Sequence, residues 1–189
     1  MNKDKLVTVQ EAAEGLLSGK TRLYPTDTIW GIGCDASNEK AIKAIEEMKN
    51  RPNNKTFILL VESVPMLERY VKHIPDVAYD LIDLAEKPLT IIYDSPINLP
   101  ESLLAEDGSI GIRVTNDSNC RRLIQRLKKP LISTSANLSG EPIPTSFNEV
   151  HESIKSNVDL ILNDRLQEVM NKPSSIIKLS NDGKVKVIR

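Results

Sequence analysis

The chain has 189 residues, 40% of them hydrophobic and 27% charged, and a formal net charge of -1. That length supports one compact domain with a substantial core and no need of staples. The near-neutral balance excludes a global electrostatic pull toward nucleic acid or membrane surfaces. No apolar run approaches the roughly 20 residues of a membrane span, and Met1-Asn2-Lys3-Asp4-Lys5 leads into no apolar signal core. Cys34 and Cys120 are the only cysteines, expected as reduced, buried thiols. These features place the protein in the cytoplasm, away from membranes.

Thr8 to Gly19 is predicted as a helix: Thr8-Val9-Gln10-Glu11 forms a capping box, Ala12, Ala13, Leu16 and Leu17 share a face, and Gly19 ends it. A short strand, Thr21 to Tyr24, follows. Pro25 to Asp35 is too rich in Pro and Gly for a regular element. Asn38 to Lys49 is an amphipathic helix with Ala41, Ala44, Ile45 and Met48 on one face, and Pro52 forces the following residues out of helix. Phe57 to Val61 is all apolar, as expected of a strand covered on both faces. Ser63 caps a helix through Val71, and Asp76 another through Leu84.

Thr90 to Tyr93 and Ile110 to Val114 are predicted strands, with Leu99 to Asp107 an exposed loop between them. Ser118 to Leu127 is a helix with Cys120, Leu123, Ile124 and Leu127 inward, feeding a central strand from Leu131. Ser146-Phe147-Asn148-Glu149 opens a helix with a capping box. Val158 to Leu162, Ser174 to Leu179 and Lys184 to Ile188 are strands, the last two joined through Asn181-Asp182-Gly183 as a hairpin. The pattern predicts one α/β domain over residues 1–189.

Two stretches carry chemistry. Leu131-Ile132-Ser133-Thr134-Ser135-Ala136-Asn137 sets hydroxyls and a carboxamide at a strand end, where α/β proteins bind small molecules. Ser and Asn hold a charged ligand there without cancelling its charge, although such residues also favour turns for local reasons. Lys49, Arg51 and Lys55 gather cations at a helix C-terminus, which suits the dipole, and Arg51 beside Pro52 has the form of a phosphate or carboxylate fork.

Other patterns carry less. Gly15 to Thr21 imitates a P-loop but ends a helix where a P-loop begins one. Gly31-Ile32-Gly33-Cys34-Asp35-Ala36 matches G-x-G-x-x-A without the acidic residue about 20 positions on that holds a ribose. His73 and His151 have no partner at metal-ligand spacing, and no nucleophile elbow appears. Arg121, Arg122, Arg126, Lys128 and Lys129 form a basic cluster that reads as a solvated helix face or an RNA phosphate contact.

Taken together, three stretches resemble one family. Tyr24 to Ala36, YPTDTIWGIGCDA, is similar to the P-T-[DE]-T-x-[YW]-G-[IL]-G-C-D signature of the YrdC family, the threonylcarbamoyl-AMP synthases. Lys49-x-Arg51-Pro52 and Ser135-x-Asn137 resemble its K-x-R and S-x-N motifs. The likeness runs from about Gly19 to Arg189, supported by Gly111-Ile112-Arg113 and Pro173-Ser174-Ser175-Ile176. It is to the short, single-domain form. The chain departs from the family pattern at Ala85-Glu86-Lys87-Pro88-Leu89-Thr90, where W-P-G-P-[LV]-T is usual. It departs again at Asn171-Lys172-Pro173-Ser174-Ser175, which lacks the usual Gly and has Ser175 for Thr.

The resemblance implies a twisted mixed parallel and antiparallel sheet with flanking helices around a large basic cavity. It implies synthesis of threonylcarbamoyl-AMP and pyrophosphate from L-threonine, bicarbonate and ATP, the product passing to a separate transferase complex that modifies tRNA. Lys49 and Arg51 are then catalytic. Arg51, Lys55, Ser109, Ser133, Asn137, Thr145 and Arg189 hold ATP, and Thr28, Arg113, Ser135 and Ser174 hold threonine. Mg²⁺ enters on the triphosphate, with no carboxylate cage of the protein's own. Replacing Lys49 or Arg51 by Ala is expected to abolish turnover and leave thermal stability nearly unchanged. The competing expectation is a double-stranded RNA or tRNA-binding module without chemistry; direct tRNA contact fits either.

Overall fold

The computed structural model describes residues 3–50 and 57–189. In chain order the regular elements are β1 (Leu6–Val7), α1 (Val9–Leu17), β2 (Arg22–Pro25), β3 (Trp30–Gly33), α2 (Glu39–Met48), β4 (Ile58–Val61), α3 (Val64–Leu67), α4 (Asp76–Asp83), β5 (Leu89–Tyr93), β6 (Ile110–Val114), α5 (Ser118–Leu127), β7 (Leu131–Ser135), α6 (Glu152–Asn157), β8 (Leu160–Leu162), β9 (Ser175–Leu179) and β10 (Val185–Val187). Among the described residues the strands form one ten-stranded sheet in the order β1-β8-β2-β3-β7-β4-β6-β5-β9-β10. Pairing is mixed: β1/β8, β2/β8, β4/β6 and β5/β9 run parallel, the other neighbours antiparallel.

Helix starts follow local chemistry. Thr8 caps α1 with a complete capping box, Asn38 accepts from Ala41 N to open α2, and Asp117 accepts from Cys120 N to open α5. The inward faces of these helices, with Ala12 and Leu16, Ile42 and Ile45, and Leu123 and Ile124, are buried together with Leu23, Ile32, Leu59, Ile112 and Ile132 of the sheet. Each large aliphatic so buried contributes roughly 1.5–3 kcal/mol of transfer free energy. Cys34 and Cys120 are free, buried thiols, and burial pushes both pKa values up, so they pack as small apolar groups.

Several elements differ from the sequence expectation. Residues 30–33, expected to be irregular, form β3 and pair in antiparallel register with β2, Tyr24 opposite Gly31 and Arg22 opposite Gly33. The glycines are what the sheet requires: a Cβ on Gly33 would lie 2.1 Å from the Ile132 carbonyl oxygen and 2.9 Å from the Tyr24 hydroxyl. In α2 Ile42, rather than Ala44, completes the buried face. The helix expected from Ser63 to Val71 is the single turn α3, because the following chain turns to bond residues 95–97: Lys72 N donates to Ser95 O and Ile97 N to Tyr70 O. Pro75, not Asp76, precedes α4.

The 99–107 connection holds a 3₁₀ turn, Glu101–Leu103, whose Leu103 is fully buried. The expected capping box at Ser146 closes one residue earlier: Glu149 takes the Thr145 N–H and hydroxyl at 2.7 and 2.9 Å. Only a 3₁₀ turn, Phe147–Glu149, follows before α6 begins after His151. The closing β9–β10 hairpin is as expected, with Gly183 in the left-handed region at φ 82°.

Candidate active site

One face of the sheet carries the site. Cross-strand partners share a face, so the register Gly31↔Ser135, Ser133↔Ile58, Ile58↔Gly111 and Gly111↔Ile92 places the serines of β7 beside two glycines and two isoleucines. Thr90 and Arg113, two positions along β5 and β6, join them. Glycine at 31 leaves room for Ser133, whose Oγ would stand 3.0 Å from a Cβ there. Ile58, expected to be covered on both sides, is only partly buried because it opens onto this face.

Two cavities meet at Ile58. The smaller, about 40 Å³, is lined by Thr26, Thr28, Gly31, Arg113, Ser133, Ser135, Ser174 and Arg189 among others. Arg113 is 4% exposed and held by the 25–29 turn. Its Nη1 donates to Thr28 Oγ1 at 3.3 Å, and its Nη2 forms a 3.0 Å ion pair with Asp27 Oδ1. Arg113 Nε has no hydrogen-bond partner among the described residues, and the Asp27 contact lacks hydrogen-bond geometry. With Nε unpartnered, this buried guanidinium keeps donor capacity for a ligand carboxylate. The turn itself is fixed by Thr26, whose Oγ1 donates to Ile29 O at 2.8 Å, accepts from Thr28 N at 3.0 Å and lies 2.8 Å from Thr28 Oγ1. Across the cavity Ser174 Oγ meets Thr90 Oγ1 at 2.9 Å, and Arg189 Nε and Nη2 donate to Ser174 O at 3.2 and 3.1 Å.

Lys49 ends α2 and turns inward, 4% exposed. Its Nζ donates to the carbonyl oxygens of Ser135 and Asn137, the latter at 2.6 Å, and Ser139 N donates to Lys49 O at 3.0 Å. Carbonyl acceptors orient the ammonium without cancelling its charge. Asn137 Nδ2 donates to Glu141 O at 2.6 Å, and its buried Oδ1 has no donor among the described residues.

The larger cavity, about 550 Å³, has an aliphatic floor of Ile58, Ile92, Ile110 and Ile176 and a rim at Ser109, Asp107 and Lys178. Ser109 Oγ donates to Asp107 Oδ1 at 2.6 Å, and Lys178 Nζ donates to Asp107 Oδ2 at 2.7 Å while pairing with Asp94 at 3.2 Å. The Lys178 bond, then the Ser109 bonds, hold the Asp107 carboxyl well below its ordinary value. With Glu106 also on the lining, this rim is of mixed sign.

The four residues expected to hold threonine, Thr28, Arg113, Ser135 and Ser174, come together on the smaller cavity with Ser133 and Arg189 of the nucleotide set. Ser109 lies on the larger one. Thr145 lines neither and is tied to Glu149. Arg51 and Lys55 lie outside the described residues. Arg121, Arg122 and Arg126 are exposed on α5. Sequence reasoning passed over Asp27 and Thr26, although both sit within the recognised signature. It also missed Arg165, which stands alone in a loop with no spacing to mark it.

Fold and geometry define the class: an α/β protein with a hydroxyl-lined pocket around a buried arginine on one face of its sheet. The chain belongs to the Sua5_yciO_yrdC family, described as telomere recombination, whose model matches residues 14–189. It is 33% identical over 181 residues to a threonylcarbamoyl-AMP synthase of Pseudoalteromonas translucida, covering 94% of this chain and 96% of the relative. A putative threonylcarbamoyl-AMP synthase of Methanocaldococcus jannaschii is 35% identical over 168 residues, covering 88% and 78%. The crystal structure of P. abyssi Sua5 complexed with L-threonine superposes with a TM-score of 0.84 at 27% identity, over 96% of this chain and 53% of that one. The chain thus spans about half the length of that Sua5 structure.

Proposed function

We propose that the protein is an L-threonylcarbamoyladenylate synthase, a nucleotidyltransferase that forms threonylcarbamoyl-AMP and pyrophosphate from L-threonine, bicarbonate and ATP. The observation that carries this is the meeting of Thr28, Arg113, Ser135 and Ser174 on one cavity whose Ser135 also offers its carbonyl to Lys49. L-Threonine in the P. abyssi Sua5 structure supports the same class of ligand.

In this mechanism Arg113 turns its free edge to the threonine carboxylate, and Thr28, Ser135 and Ser174 take the remaining polar groups. The threonine amine bonds to the bicarbonate carbon with loss of water, and the resulting N-carboxylate attacks the α-phosphorus of ATP as the bond to the departing pyrophosphate breaks. An external nucleophile needs alignment and charge stabilisation rather than an enzyme nucleophile. Lys49 and Arg51 supply that charge at the α-phosphate. Lys55, Ser109, Ser133, Asn137, Thr145 and Arg189 complete the nucleotide contacts, Thr145 only if its loop closes inward. Mg²⁺ arrives with ATP as part of that substrate, since Asp27 and Asp107 are already paired with Arg113 and Lys178.

The product would pass in the cytoplasm to a tRNA-modifying transferase complex. The two buried free thiols support that compartment. Among the described residues no helix is long and apolar enough to cross a membrane. Pyrophosphate release from ATP is expected to require both L-threonine and bicarbonate. Release independent of threonine, or none from folded protein, overturns the assignment.

A further inference from the structure

We propose that Arg165 is a positioning residue for the amino-acid pocket, setting threonine affinity by clamping the 25–28 turn against Arg113. The proposal rests on the synthase assignment above. Arg165 lies in the loop after β8, more than 130 residues from the turn it holds. Its Nη1 donates to Thr26 O at 3.2 Å and its Nη2 to Pro25 O at 3.4 Å. The same guanidinium is itself fixed by two carboxylates, Asp117 Oδ2 at 2.6 Å from Nη2 and Asp164 Oδ2 at 2.9 Å from Nε. Both are anchored in turn: Asp117 caps α5 through Cys120 N at 2.8 Å, and Asp164 accepts from Asn119 Nδ2 at 2.8 Å.

The clamp acts on the residues that shape the pocket. Thr26, whose carbonyl Arg165 holds, sets Thr28 through the shared hydroxyl contact, and Thr28 Oγ1 is what Arg113 Nη1 finds. Asp27, between them, takes the other arm of Arg113 and accepts from Thr115 Oγ1 at 3.3 Å. Freeing the 25–26 carbonyls therefore lets the partners of Arg113 drift. A fork that must meet a carboxylate in two places is sensitive to displacements well under an ångström. A second observation is independent of these bonds: Arg165 holds φ at 47°, in the left-handed region that a long side chain rarely adopts. Backbone strain of this kind persists where the surroundings over-determine it and gathers at functional sites.

The test measures L-threonine and ATP binding separately by calorimetry, with steady-state KM values beside them. Arg165→Gln is expected to raise the Kd for L-threonine about tenfold, some 1.4 kcal/mol, with the Kd for ATP within about twofold. Arg165→Gly relieves the backbone while removing the clamp, so the same rise is expected, and added guanidinium ion is expected to restore threonine binding in the Gly variant alone. Arg165→Lys keeps the charge facing Asp117 but loses the fork; a rise of about threefold is expected, which serves if the other two fail to fold. Unchanged threonine affinity in a folded variant, or an equal loss for ATP, overturns the proposal. Wild-type protein that binds no L-threonine removes the synthase assignment and this proposal together, whereas wild-type binding with unmoved variants removes this proposal alone.

Discussion

The Lys49 ammonium stands 2.6 Å from the Asn137 carbonyl oxygen, joining residues 88 apart in sequence. The K-x-R and S-x-N motifs are thus one structure: the lysine of the first organises the turn of the second. Arg51, the other cation of the first motif, lies outside the described residues.

That contact changes what removal of Lys49 is expected to do. From sequence, loss of activity without loss of stability is the natural outcome. In the structure, Lys49→Met takes the donor from two part-buried carbonyls, which costs about 1–3 kcal/mol. A melting point lower by roughly 2–4 °C per kcal/mol follows for a chain of this size, beside a fall in turnover of about 10²-fold or more. Thermal melts and the pyrophosphate assay on one preparation check both. Unchanged stability would mean that the ammonium does not hold the Ser135 and Asn137 carbonyls.

Two glycines two positions apart on β3 are expected to answer differently to alanine. At Gly33 the new Cβ would lie 2.1 Å from a main-chain oxygen, that of Ile132, and the strands must part. A loss of about 3 kcal/mol is expected in denaturant unfolding. At Gly31 the nearest atom is the Ser133 hydroxyl at 3.0 Å, at the end of a side chain. Gly31→Ala should fold within about 1 kcal/mol of wild type yet lose activity, because the displaced hydroxyl lines the smaller cavity. Equal destabilisation of the two would contradict the register.

Asp107 offers a pH test. Its folded-state pKa lies below the ordinary 3.8 because Lys178 and Ser109 donate to its ionised form. The contribution of this rim to stability is therefore complete above the ordinary value and lost as pH falls through the depressed one. Carboxyl NMR titration should find Asp107 shifted down in wild type and returned part of the way in Lys178→Met, where the Ser109 bonds remain. An unshifted Asp107 would mean the rim is open in solution.

Arg22 is expected to be a stability liability. It is fully buried, stacked 4.6 Å from the Tyr24 ring centre, and none of its three side-chain nitrogens meets an acceptor among the described residues. Burial pushes its pKa down. The cation–π contact returns about 2 kcal/mol when desolvated, less than the several kcal/mol an unpaired buried ion costs. Arg22→Met should raise the urea midpoint, corresponding to about 1–3 kcal/mol. A lowered midpoint would show that the guanidinium contributes more than its desolvation costs.

Much of this was legible in the sequence, for reasons specific to each part. The helix capped by Thr8 and the inward face of Ser118–Leu127 are local patterns, and local chemistry fixed them. The central strand ending in Ser133-Thr134-Ser135 and the meeting of Thr28, Ser135 and Ser174 with Arg113 on one cavity followed from motif recognition. Trp30–Gly33 was misjudged because glycine weakens a strand in isolation, while its use here, room for Tyr24 and Ser133, exists only once the strands are paired. The helix after Ser63 was overextended because its end is set by residues 95–97, far along the chain. Arg165 could not be found at all: its partners, at 25, 26, 117 and 164, share no period.

The placement of β7 bears on how the chain is made. Leu131–Ser135 fills the gap between β3 and β4 and bonds to both, yet it emerges long after either. Until it does, a nascent chain carries two bare strand edges that other chains can zip onto. The peptide that supplies the pocket with its serines also closes the seam through which half-made copies would aggregate.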